Sequence, residues 1–147
     1  MKAAEQRLIH ADRIHSLDKV TANKNRYLAA IEILNKDMNE GLKILDHLIS
    51  IDREGHWGIK GALKRVEILQ KKGDVNEANM ALKSLKAIER NIPKSLKLDW
   101  NMAHGRLAMV QKDYGIASEY FKQVYDLAAP KYPIKSQAMI EYAGALE

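Results

Sequence analysis

The chain has 147 residues, with 46% hydrophobic, 29% charged and no cysteine residues, so disulfides and thiolate metal sites are excluded. That length holds either one domain with a sizeable core or an elongated array with a thin one. Lysine and arginine number 24 against 19 acids, and the net charge of +5 is spread along the chain, permitting an acidic or nucleic-acid partner without demanding one.

Ala3 to about Val20 places Leu8, Ala11, Ile14 and Leu17 at steps of three, a narrow apolar stripe that predicts a helix lying on another element. Residues 1–22 are read as an N-terminal packing helix or as a connector from an upstream domain. The stretch is too polar for a signal peptide, and no run in the chain approaches the roughly 18 apolar residues of a membrane span. A cytoplasmic protein without a membrane partner is therefore expected. His10 and His15 point in different directions on a helix and do not make a metal pair.

From Asn23 onwards, helical patterns alternate with short polar turns. Tyr27, Leu28, Ile31 and Leu34 mark one helix, and Leu42, Leu45, Leu48 and Ile49 mark a second from about Asn39. Asp37-Met38-Asn39-Glu40 and Asp74-Val75-Asn76-Glu77 each resemble a capping box, in which Asp accepts from early amides and Glu reaches back. Between these boxes, Ile51 to Gly58 reads as a loop whose glycines, Gly55 and Gly58, act as helix stops. Trp57 is read as packed rather than as an exposed ligand platform, and Trp100 likewise as core.

A further helix runs from Ile59 to Lys72, and the next, from Asn76 to about Arg90, buries Ala78, Ala81, Leu82, Leu85 and Ile88 before Asn91-Ile92-Pro93 ends it. Met102, Gly105, Arg106 and Met109 share one helix face, while Ile116, Ala117, Tyr120, Phe121, Val124 and Leu127 form a broad stripe on the following helix. Only Gln111 to Gly115 separate these two, which makes them antiparallel neighbours. Beyond Pro130 and Pro133, a last helix over 134–147 carries Met139, Tyr142, Ala143 and Leu146. Sustained β-type alternation is missing, so the fold class is all-α with about eight helices.

Gly105, Ala117, Phe121 and Pro130 stand in the order of the small residue, second small residue, aromatic and closing proline of a tetratricopeptide repeat. Asp113 and Tyr114 match its turn, although Lys112 replaces the usual glycine and Val124 the third small residue. A second copy has Gly73-Asp74 followed by Ala78 and Leu82, and a third has Asp37 followed by Gly41 and Leu45. Gly41, Ala78 and Ala117 lie 37 and then 39 residues apart, slightly longer than the roughly 34 of that repeat. The chain thus resembles the tetratricopeptide repeat family over about residues 23–130, with helix pairs near 23–55, 57–93 and 95–130. The resemblance implies that 23–133 form an α-solenoid, a right-handed superhelix of antiparallel helix pairs. Residues 134–147 would cap it or open a fourth repeat. In the latter case the chain is a piece of a longer one, and its uncovered apolar face would favour self-association.

In that family the first helices of successive repeats line a concave groove. Alignment selects Arg26, Ala30 and Ile33, then Lys60, Leu63, Glu67 and Lys71, then Asp99, Met102, Arg106 and Met109. Lys64 would join Arg26, Lys60 and Arg106 in raising the positive potential on that side, with Met102 and Met109 as an adaptable floor. The expected partner is a protein or peptide with one or two acids beside an apolar anchor. A plainer reading makes Lys60, Lys64, Glu67 and Lys71 a solvated helix face. The subgroup that binds chaperone tails is not matched, because Ala30, Asp99 and Ala103 replace its asparagine, lysine and arginine. Without a phosphate loop, paired-histidine motif or nucleophile elbow, neither an enzyme nor a cofactor or metal site is expected. The leading expectation is a non-catalytic protein-interaction scaffold. The alternatives are a regulatory segment of a larger signalling protein and a nucleic-acid-binding helical repeat, the latter weakened by the scatter of its lysines.

Overall fold

A computed structural model describes residues 2–128 together with Ile140, Glu141, Gly144 and Ala145. Among the described residues the chain forms seven α-helices, two short 3-10 turns and no strand. Apart from those last four residues, the helix expected over 134–147 lies outside the described residues, including its stripe of Met139, Tyr142, Ala143 and Leu146. The chain divides into two compact units, and the division falls between Arg65 and Val66, inside one helix.

In the first unit, α1 (Lys2–Ile14) packs on α2 (Lys19–Leu34), and α2 packs on α3 (Met38–Ile51). Ala4 and Ala29 allow this approach and form a buried cluster with Ile33, to which Leu8 and Ile44 add partly covered surface. Leu45 and Leu48 of α3 are fully buried. The helix expected to run to Val20 stops at Ile14. Asp18 is the cause, accepting from the Thr21 amide at 3.0 Å and from its hydroxyl at 2.6 Å, so that α2 starts four residues before Asn23. Leu17, expected on the apolar stripe, is consequently 88% exposed.

Asp37 opens α3 by accepting from the Glu40 amide at 3.2 Å, but the Glu40 carboxylate, expected to reach back to the cap, pairs with Lys43 at 3.0 Å. The following helix, α4 (His56–Lys72), begins before Gly58 rather than after it. Its first turn is served from a distance, because the Asp52 carboxylate accepts from the Gly58 amide at 3.3 Å. A Cβ on Gly58 would collide with the Asp52 carbonyl, so this glycine permits a close approach instead of ending a helix. Arg65 of α4 returns to α3 through an ion pair with Asp46 at 2.8 Å.

The second unit contains the end of α4, then α5 (Val75–Lys86), α6 (Lys97–Val110) and α7 (Tyr114–Leu127). Ala78, Leu82 and Leu85 are the buried face of α5, which ends at Lys86 rather than near Arg90. The 3-10 turns Glu89–Asn91 and Lys94–Leu96 flank Pro93, and Ile88, Ile92 and Leu96 keep this connection anchored by burial. Helices α6 and α7 pack together around Met102, Ala108, Ala117, Phe121 and Val124. The Phe121 ring lies directly over Gly105, where a Cβ would stand 2.8 Å from its Cδ1 and Cζ atoms.

Two reversals share a backbone device. Gly73 and Lys112 both have positive φ, 84° and 60°. The next amides, of Asp74 and Asp113, bond back to the carbonyls of Leu69 and Ala108, both at 2.9 Å, which closes each preceding helix. Asp113 then caps α7 through the Ile116 amide at 3.4 Å, whereas Asp74 makes no side-chain cap.

Two substitutions test this packing. Gly105→Ala drives a methyl group into the buried Phe121 ring and should lower stability by about 1–3 kcal/mol in chemical denaturation. Lys112→Gly relieves a left-handed side-chain residue and should raise stability by up to about 1 kcal/mol, read as a higher melting temperature.

Candidate partner-binding site

Residues selected from the sequence meet at one place in the second unit. Glu67, Gln70 and Lys71 of α4 and Arg106, Met109 and Val110 of α6 line an open cavity of about 500 Å³, with Glu141 at its edge. The helical spacing explains the convergence: each helix contributes residues at i, i+3 and i+4, one edge apiece. Gln70 joins the two edges, its Nε2 donating to the Ala103 carbonyl at 3.0 Å. Met109 and Val110 supply an apolar wall, and charges of both signs surround it. Lys71 pairs with Glu67 at 3.1 Å, and Arg106 stands 3.9 Å from Glu141. Side-chain exposure is 73% for Lys71 and 36% for Arg106 against 29% for Glu67 and 20% for Glu141, so the cations are the outermost charges.

No family model, curated protein or solved structure matches this chain.

The remaining selected residues do not line this cavity. Arg26, expected in the groove, is only 4% exposed. Its guanidinium donates to Asp12 at 2.9 Å and to Asn23 at 2.7 Å and lies 2.8 Å from His15 Nδ1, pinning α1 and the following turn to α2. Ala30, Ile33, Leu63 and Met102 are buried as well, Met102 within the α6–α7 core. Arg26, Ala30, Ile33, Leu63 and Met102 are thus taken up by packing, whereas Glu67, Lys71, Arg106 and Met109 of the selected set face the cavity. Asp99 is exposed and Lys64 half-buried. Lys60 lies 5.2 Å from the ring centres of both Tyr27 and Trp57, whose rings are themselves 5.6 Å apart. That half-buried arrangement favours a packed Trp57 over a bare platform.

Sequence reasoning missed Gln70, Val110 and Glu141, and it passed over His104. The spacing of Trp100 and His104, one turn apart, is the signal that was there to find. The His104 ring lies 4.4 Å from Trp100 and stacks on Tyr120 at 5.1 Å, and its Nε2 is buried without a partner. Burial holds its pKa below the usual 6.5, with Lys86 pushing the same way and Glu89 opposing. Burial also raises Tyr120, reinforced by Glu89 and Glu119.

Among the described residues, no cluster of three His, Asp or Glu side chains is placed to hold a metal ion, and no helix is long and apolar enough to cross a membrane.

The His104 environment gives a pH prediction. Its folded pKa is depressed below 6.5, so the unfolded chain binds protons first as pH falls. Stability from this site is full above the unfolded value, declines as pH drops from 6.5 towards the lower folded value, and levels off beneath it. His104→Phe keeps the stacking and should flatten that part of the profile, measured by thermal melts across the same pH range.

Proposed function

We propose that this chain is a non-catalytic protein-interaction module. Its helix pairs would form the right-handed tetratricopeptide-like superhelix suggested by the sequence, acting as a cytoplasmic scaffold. The groove between α4 and α6 would hold a peptide segment from a partner protein. The observation that carries this reading is the meeting of Glu67, Arg106 and Met109, chosen from sequence alone, along one open cavity.

The chemistry of the cavity indicates what it would select. An apolar side chain would rest on Met109 and Val110, where the unbranched thioether can reshape around it. A neighbouring carboxylate would meet Lys71 and Arg106 first, because these are the more exposed charges. Arg106 keeps donors for it, since a guanidinium has five N–H groups and the Glu141 contact at 3.9 Å is long. Acidic peptides with an apolar anchor are thus favoured over nucleic acid, whose phosphates would also face Glu67 and Glu141. The burial of Arg26 removes one cation from the basic surface that a nucleic-acid reading needs.

Capture of partners from cell extract, followed by titration of the recovered protein, tests the proposal. Combined Lys71→Glu and Arg106→Glu substitutions should weaken binding about tenfold and reduce its salt dependence, with melting little changed. Equal affinity for the double variant would rule the groove out.

A further inference from the structure

A second cavity in the same unit, about 520 Å³, lies between the first turns of α6 and one face of α7, with Glu89 at its rim. Its chemistry differs from that of the α4–α6 groove, and it centres on Asn101. This side chain is only 6% exposed, lines the cavity, and makes no hydrogen bond to any described residue. Its carboxamide is not among the buried orphaned groups, so its polar atoms open onto the cavity that the residue lines. The cavity is the side from which its donor and acceptor can be reached.

The charges around Asn101 are unbalanced. Glu89 and Glu119 line the cavity with Lys97, and neither carboxylate forms an ion pair among the described residues. Tyr120, which lines the same cavity, has its pKa raised first by burial and further by these two acids. Apolar surface is left at the two ends of the α7 face, where Ile116 is 46% and Leu127 57% exposed. These ends lie three turns apart, roughly 16 Å along a helix, the reach of about five extended residues.

We propose that this cavity binds an extended peptide segment of a partner protein in which a lysine or arginine is flanked by apolar residues. Asn101 offers an N–H donor and a C=O acceptor together, matching the free backbone groups of an extended strand. A docked helix has already satisfied its own backbone and could not use them. The basic side chain meets Glu89 and Glu119, and the flanking apolar residues cover Ile116 and Leu127. This site is separate from the α4–α6 groove and of opposite charge preference, so either can fail without the other.

The test uses two synthetic, end-capped pentapeptides, Leu-Ala-Arg-Ala-Leu and Leu-Ala-Glu-Ala-Leu, titrated into the whole chain. The Trp100 indole N–H, the Asn101 carboxamide and the Met109 methyl are followed by NMR. The arginine peptide should shift the Trp100 and Asn101 signals saturably and leave Met109 still, while the glutamate peptide binds there at least about tenfold more weakly. Asn101→Leu should lose about tenfold in affinity, and the exposed Glu119→Gln, which leaves the core intact, about threefold. Absence of saturable shifts, equal binding of both peptides, or unchanged affinity in Glu119→Gln would overturn the proposal.

Discussion

Reversal of the chain between α6 and α7 depends on one residue, Lys112, accepting a left-handed backbone conformation at φ 60°. With that dihedral in place, the Asp113 amide reaches the Ala108 carbonyl and the Asp113 carboxylate caps the next helix. The two helices then run antiparallel at a distance that only Gly105 allows, because the Phe121 ring occupies the space a Cβ would need. Met102, Ala117 and Val124 are buried with Phe121 in the core that this approach encloses. Gly73 performs the same backbone service after α4 without a side chain to strain.

Much of this was visible in the sequence because it is written locally. Asp37 and Asp113 cap helices where the phased turns placed them, and Ala78, Ala117 and Phe121 are fully buried. What escaped was set by partners outside the window of a pattern. Leu17 continues the apolar spacing of α1, but Asp18 captures Thr21 and ends the stripe before it. Gly58 reads as a helix stop until the Asp52 carboxylate, six residues upstream, is seen to bond its amide.

The site was legible in part for a related reason. Glu67, Arg106 and Met109 sit on helix edges, where spacing alone decides which way they point. Arg26 looks like surface by type, and only the combination of Asp12, His15 and Asn23 makes its burial tolerable. Met102 is lost to the core because α6 is covered around most of its circumference, with Trp100, Ala103, Leu107 and Ala108 also buried. The unpartnered Asn101 carries no sequence signal, since an asparagine within a helix looks the same whether its amide is solvated or enclosed.

The pairing of helices that neighbour one another along the chain, α1 with α2, α2 with α3 and α6 with α7, also bears on kinetics. Bringing such neighbours together closes only short loops, and the entropy of closure grows slowly from a small starting value. Chains dominated by contacts of this kind fold in microseconds to milliseconds, well ahead of β-rich domains of similar stability. The left-handed turn with its aspartate cap is made between Ala108 and Ile116, so it needs no distant residue to set the direction of the second helix. The α6–α7 pair is thus built from contacts close in sequence, even the seating of Phe121 over Gly105 spanning only 16 residues.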